Sequence, residues 1–103
     1  MARFIWSLVI TPIGTKDTSL SKFVAAALGA LKEKGIKFEL TPMATILEAN
    51  SLDEIFSAVK VAHEAVLKMG VKRVVISINI DDRLDKIERK AQDKVESVME
   101  KLK

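Results

Sequence analysis

"IKFELTPMATILEA", residues 36–49, decides the fold. Its first part, "IKFELT" (36–41), alternates apolar and polar side chains, as a strand with one buried face does. Pro42 breaks that strand, since proline brings no donor to a ladder. "MATILEA" (43–49) then reads as the next strand. A linker centred on one proline is too short for the crossover that parallel neighbours need, so the two strands pair antiparallel.

Upstream lies a helix. It starts near Asp17 or Thr18, either of which can serve as N-cap. Leu20, Phe23, Val24, Ala27, Leu28 and Leu31 recur at three-four spacing and form one apolar stripe. Gly35 ends it, with Lys32 and Lys34 near the negative end of the helix dipole. Before that helix, "RFIWSLVIT" (3–11) is rich in aromatic and β-branched residues and is closed by Pro12 and Gly14. Phe4, Trp6, Leu8 and Ile10 mark one face, Ile5 and Val9 the other. A strand apolar on both faces is covered on both sides.

Downstream, Ser51 and Glu54 form a capping box that opens a second helix. Leu52, Ile55, Phe56, Val59, Val66 and Leu67 are its expected stripe, and Gly70 ends it. "KRVVISINI" (72–80) is the fourth strand, with Val74, Ile76, Ile78 and Ile80 facing one way and Val75, Ser77 and Asn79 the other. Residues 90–103 form a last helix with Ala91, Val95, Val98 and Leu102 in line. The order is βαββαβ plus a C-terminal helix. That order predicts an α+β, ferredoxin-like domain over residues 1–103: an antiparallel sheet with two helices on one face. Ile5, Val9 and Val75 then need another cover, which points to a homo-oligomer.

Composition narrows the function. The chain has 103 residues, 49% hydrophobic and 30% charged, with 17 basic against 14 acidic side chains and no cysteine. A chain this long buries roughly 65% of its unfolded surface, so it builds a core without disulfides or thiolate metal sites. The charges are interspersed and the aromatics sit at core spacings, so neither a basic stripe nor a base-stacking platform for nucleic acid is present. No apolar run reaches the length of a membrane span, and Ser7 interrupts the N-terminal run, which reads as a strand and not a signal peptide. A cytoplasmic protein is expected.

Chemistry-bearing candidates are few. His63, the single histidine, falls on or beside the second helix's buried stripe and has no serine or cysteine in context to activate, so it reads as a core residue. Asp81-Asp82-x-x-Asp85 looks like a magnesium-binding aspartate pattern. Such patterns work on a helix, whereas this one leaves a strand whose alternation sends Asp81 and Asp82 to opposite faces. A charged turn that pairs internally or across a subunit boundary is the expectation. "TPIGT" (11–15) lacks the glycines and the Lys-Ser/Thr ending of a phosphate loop. Glu48, a lone acid between Leu47 and Ala49, stands out as a group that pairs or binds something.

Taken together, "TPIGT", "TSLSKFVA", "ELTPMATILEA", "VAHEAV", "RVVISINIDDRLDK" and "KVESVMEKL" resemble the small thiamine-binding protein family of archaea, bacteria and yeast. The resemblance spans nearly the whole chain in the same order. It implies a ferredoxin-like domain that assembles as homodimers or homotetramers and binds thiamine or its hydroxymethylpyrimidine half, without catalysis. The matching positions are Pro12, Gly14, Thr15, Ser19, Met43, Thr45, Glu48, His63, Asp81, Asp82, Arg83 and Asp85. Two positions depart from the family pattern: Ala44 replaces a usual glycine and Asn79 a usual lysine. Thiamine offers a cationic thiazolium and an aminopyrimidine, so its site wants an acid, hydroxyl or amide partners and an apolar wall. Thr45, Glu48, Ser7, Ser77 and Asn79 are the expected polar residues, and Trp6, Met43 and Ile46 the expected wall, although some of these must lie on opposite faces. No catalytic residue, no metal and no cofactor is expected. The partners expected are a small molecule and other copies of the chain. The alternative is a structural or regulatory oligomer with a vestigial pocket.

Overall fold

The computed structural model describes residues 2–16, 18–85 and 90–103. Its elements are β1 (Phe4–Ile13), α1 (Ser21–Glu33), β2 (Glu39–Leu40), β3 (Thr45–Ala49), α2 (Leu52–Leu67), β4 (Arg73–Asp82) and α3 (Ala91–Lys101). The sheet order is β2-β3-β1-β4, and every neighbouring pair is antiparallel. This is the ferredoxin-like topology. The tight turn at Pro42 does what its length requires: Thr41 N–H donates to the Ala44 carbonyl, and Thr41 Oγ1 both donates to that carbonyl and accepts from Ala44 N–H.

Register sorts the side chains onto two faces. Phe4, Trp6 and Leu8 stand opposite Ala49, Leu47 and Thr45 on β3, and opposite Asp82, Ile80 and Ile78 on β4. Helices α1 and α2 cover this face, and Leu31, Leu47, Ile55 and Val66 are the largest side chains wholly enclosed there. Each contributes about 1.5–3 kcal/mol of transfer free energy.

Several boundaries move from their sequence expectation, each for a local reason. The first strand runs on through Pro12 to Ile13, paired with β4 throughout, whereas its pairing with β3 stops at Leu8. Past Leu8 the strand has a free edge, where a proline is tolerated. The second strand shrinks to two residues. Gly35, at φ +74°, closes α1 in a Schellman motif, with Gly35 N–H donating to the Lys32 carbonyl and Ile36 N–H to the Leu31 carbonyl. Ile36 thus spends its amide on the helix and cannot join a ladder. Helix α1 begins at Ser21 without a side-chain cap, later than expected; Thr18 lies before it, and Asp17 falls outside the described residues. The fourth strand continues to Asp82, two residues beyond its expected end.

Helix α2 corrects the sequence reading most. Its buried residues are Ile55, Ala58, Ala62 and Val66, while Leu52, Phe56 and Leu67 are exposed. The inward stripe keeps helical spacing but is built partly of alanine. Its cap is as expected in the hydroxyl half, where Glu54 N–H donates to Ser51 Oγ at 3.2 Å; Glu54 Oε2 accepts instead from Asn50 N–H, one residue before the cap, at 2.9 Å.

The other face of the sheet carries Ile5, Ser7, Val9 and Thr11, with Ile46 and Glu48 on one side and Val75, Ser77, Asn79 and Asp81 on the other. Helix α3 is tied to this face at two points. Glu48 Oε2 accepts from Ala91 N–H, and Lys94 pairs with Asp81. Ile5 stands between Glu48 and Asp81 in the register and is buried, whereas Val9 and Val75 remain 37% and 44% exposed. The third helix therefore secures one end of this face and leaves the rest open.

Candidate functional site

A cleft of about 750 Å³ opens where β2 fails to continue, between the 35–39 segment, β3 and the first turns of α2. Trp6, Leu47, Ala49 and Ala58 supply buried apolar lining, and Ile36 and Phe38 flank it. The charged lining comprises four carboxylates, Glu39, Glu48, Asp53 and Glu54, against one ammonium, Lys37. The chain as a whole carries a formal charge of +3. Acid is thus concentrated here against the trend of the molecule. Asp53 and Glu54 are offset by the positive end of the α2 dipole and Glu54 also by the Asn50 amide. Glu48 is offset in the same way through one oxygen, which accepts from the Ala91 amide at the start of α3, whereas Glu39 lies on β2, at no helix start. The cleft therefore favours a cation or an amine over an anion.

The residues expected from sequence to form one site are divided among three places. Trp6 and Glu48 line this cleft together, and Ile46 joins them. Thr45 is buried on the helix-covered face and lines a smaller hollow of about 160 Å³ with Met43, which is itself 84% exposed in the turn before β3. Met43 therefore does not share a wall with Trp6, and Thr45 does not join Glu48 as a polar partner. Ser7, Ser77 and Asn79 lie on the open face, where Ser7 stands opposite Asn79 and Val9 opposite Ser77. Alternation sets Trp6 on the opposite side of the sheet from Ser7, Ser77, Asn79, Ile46 and Glu48. Ile46 and Glu48 still reach the cleft because they lie on β3 beside the short β2, whereas the others lie on β1 and β4. The sequence reading missed Ser51, Asp53, Glu54 and Ser57 as cleft residues, having assigned Ser51 and Glu54 to capping alone. Acid density in "SLDE" beside Glu48 was the available signal.

The aspartate-rich segment has settled into ion pairs. Asp82 accepts from Arg3 through both oxygens, at 2.6 and 2.8 Å, Asp81 pairs with Lys94, and Asp85 with Arg83. Asp81 and Asp82 face opposite sides of the sheet, as alternation requires. Hydrogen bonding to Asp82 and to Asp85 raises the guanidinium pKa of Arg3 and of Arg83, respectively. A raised pKa favours the charged guanidinium in the folded state, so this contribution is present at neutral pH and is lost as pH rises through the raised value. The segment is a charged clamp joining the start of β1, the end of β4 and α3. His63 is half-buried on α2 beside Ala62 and outside both hollows.

A family model described as thiamine-binding protein matches residues 6–99, which include the cleft and the clamp's aspartates. The chain belongs to the thiamine-binding protein family. Within it, a UPF0045 protein of Methanothermobacter thermautotrophicus is 53% identical over 95 residues, covering 92% of this chain and 95% of that protein. The crystal structure of the Methanocaldococcus jannaschii protein MJ1052 is similar with a TM-score of 0.81 at 40% identity, covering 97% of this chain and 99% of that one. A Thermotoga maritima protein, whose description proposes a part in thiamine biosynthesis or salvage, matches with a TM-score of 0.73 at 23% identity over 92% of this chain and 97% of its own. That last likeness supports the fold of the thiamine-binding protein family.

Proposed function

We propose that this chain is a non-catalytic binding protein that holds thiamine or its hydroxymethylpyrimidine half in the cleft between Trp6 and Glu48, and that it works in the cytoplasm as a homo-oligomer. The observation that carries the reading is the pairing of an acidic mouth with a buried aromatic floor, in a chain of the thiamine-binding protein family. A thiazolium or exocyclic amine finds carboxylates at the mouth, and a flat ring finds apolar surface below. Glu48 is the central acid. One of its oxygens caps the first amide of α3, and the other has no hydrogen-bond partner among the described residues.

Titration calorimetry tests the reading. Thiamine or the hydroxymethylpyrimidine is expected to bind in the micromolar range, and Glu48→Gln to weaken binding about tenfold, as loss of a charge-assisted contact does. No heat with either compound sinks the proposal.

A second reading, a structural oligomer, is favoured by a separate feature. Val95, Val98 and Met99 of α3 and Leu102 just after it are 50–72% exposed, and Val9 and Val75 are open on the sheet. The two readings are compatible, since one concerns the cleft at the β3 edge and the other the outer stripe of α3 and the sheet around Val9 and Val75. Light scattering at micromolar concentration is expected to give a dimer or larger; a monomer would remove self-association from the proposal.

A further inference from the structure

We infer that Trp6 selects the ligand's ring, its indole N–H donating to a ring-nitrogen or carbonyl acceptor on a planar heteroaromatic seated in the cleft. The inference rests on the binding reading and adds what the floor of the cleft recognises. Trp6 is 98% enclosed, with only 2% exposure. Its Nε1 is the buried side-chain polar atom that lacks a hydrogen-bond partner among the described residues. Buried donors are nearly always paired, and an unpaired one in a native fold calls for an explanation.

The surroundings narrow what can pair with it. Indole nitrogen only donates, so the missing partner must be an acceptor. In the sheet Trp6 stands between Leu47 and Ile80, and Ala49 and Ala58 complete the buried lining near it. Those side chains are hydrocarbon and have nothing to accept with. The hydroxyls of Ser51 and Ser57 and the carboxylates of Glu39 and Glu48 belong to the more open part of the same lining. Trp6 thus brings an unpaired, enclosed donor to the lining of a cleft whose more open part carries acceptors. A ligand that matches it carries an acceptor on one edge and an amine or cation on another. An aminopyrimidine has both; a benzene ring of the same outline has only the second. A buried donor left unpaired by the wrong ligand discriminates more sharply than a difference in shape.

Trp6 is the only tryptophan in the chain, so one indole resonance in a nitrogen–proton correlation spectrum reports on it. On saturation with hydroxymethyl-aminopyrimidine the resonance is expected to move downfield. Native protein should bind this compound about tenfold more tightly than the aniline in which both ring nitrogens are replaced by carbon, the discrimination expected of one hydrogen bond. In Trp6→Phe the two compounds should bind within twofold of each other. An indole resonance that stays put while the pyrimidine binds overturns the inference alone, and so does a Trp6→Phe protein that keeps the native preference. A ligand-free resonance already at the hydrogen-bonded position also overturns it. If native protein binds neither compound, the binding reading falls and takes this inference with it. The resonance measurement needs no variant, so a Trp6→Phe chain that failed to fold would leave the test intact.

Discussion

Helices α2 and α3 look alike in sequence and behave differently in the fold. Each is amphipathic and each opens on a residue whose backbone or side chain meets an acid three positions on: Ser51 with Glu54, and Lys90 with Asp93, whose Oδ2 accepts from Lys90 N–H at 2.8 Å. Yet α2 buries Ile55, Ala58, Ala62 and Val66, and α3 buries nothing. One is held by its apolar face and the other by two polar ties at its first turn. Periodicity specifies a helix and a stripe; it does not say whether the same chain supplies the surface the stripe meets.

That contrast can be broken by substitution, beginning with the largest effect. Ile55→Ala removes a wholly enclosed side chain and should cost about 2–5 kcal/mol in denaturant unfolding. A loss below about 1 kcal/mol would mean that α2 is no better anchored than α3. Ser51→Ala deletes the cap hydroxyl and should cost about 1 kcal/mol in the same assay. Lys94→Ala cuts one tie of α3 in a partly exposed pair, so global stability should change by less than about 1 kcal/mol. Amide exchange of α3 should nonetheless quicken while that of α2 stays unchanged. The smallest effect on folding is expected from Val98→Ser, within about 0.5 kcal/mol for an exposed position. Its readout is light scattering, where a shift to smaller particles would show that a second chain covers the α3 stripe.

The same contrast explains what was legible in advance. Proline, glycine and capping signals act within a few residues, and so the turn at Pro42, the end of α1 at Gly35 and the start of α2 at Ser51 could all be read. The buried side of α2 was misjudged because Phe56 and Leu52 draw attention by size, whereas Ala58 and Ala62 face the core. The second strand was drawn too long because Ile36 looks like a strand residue, although its amide belongs to the Schellman motif. Of the residues expected to bind, Trp6, Ile46 and Glu48 line one cleft, whereas Ser51, Asp53, Glu54 and Ser57 beside them carried no such expectation. The cleft exists because β2 stops short beside the start of α2, a meeting of segments distant in sequence that no local pattern announces. Ser7, Ser77 and Asn79 share Glu48's side of the sheet, but they lie on β1 and β4, away from the β3 edge where the cleft opens.

The longest ladder of the sheet has a temporal consequence. Strand β1 pairs with β4 from Phe4↔Asp82 to Ile13↔Arg73, so the first strand of the chain finds its longest partner in the last. At about 5–20 residues per second of synthesis, β4 follows β1 from the ribosome by several seconds. For that interval the nascent protein holds β1 only through β3 and the helices, with the whole β4-facing edge of β1 unpaired. Contacts of such sequence separation also slow folding in solution. The last strand to be made is the one that completes the sheet.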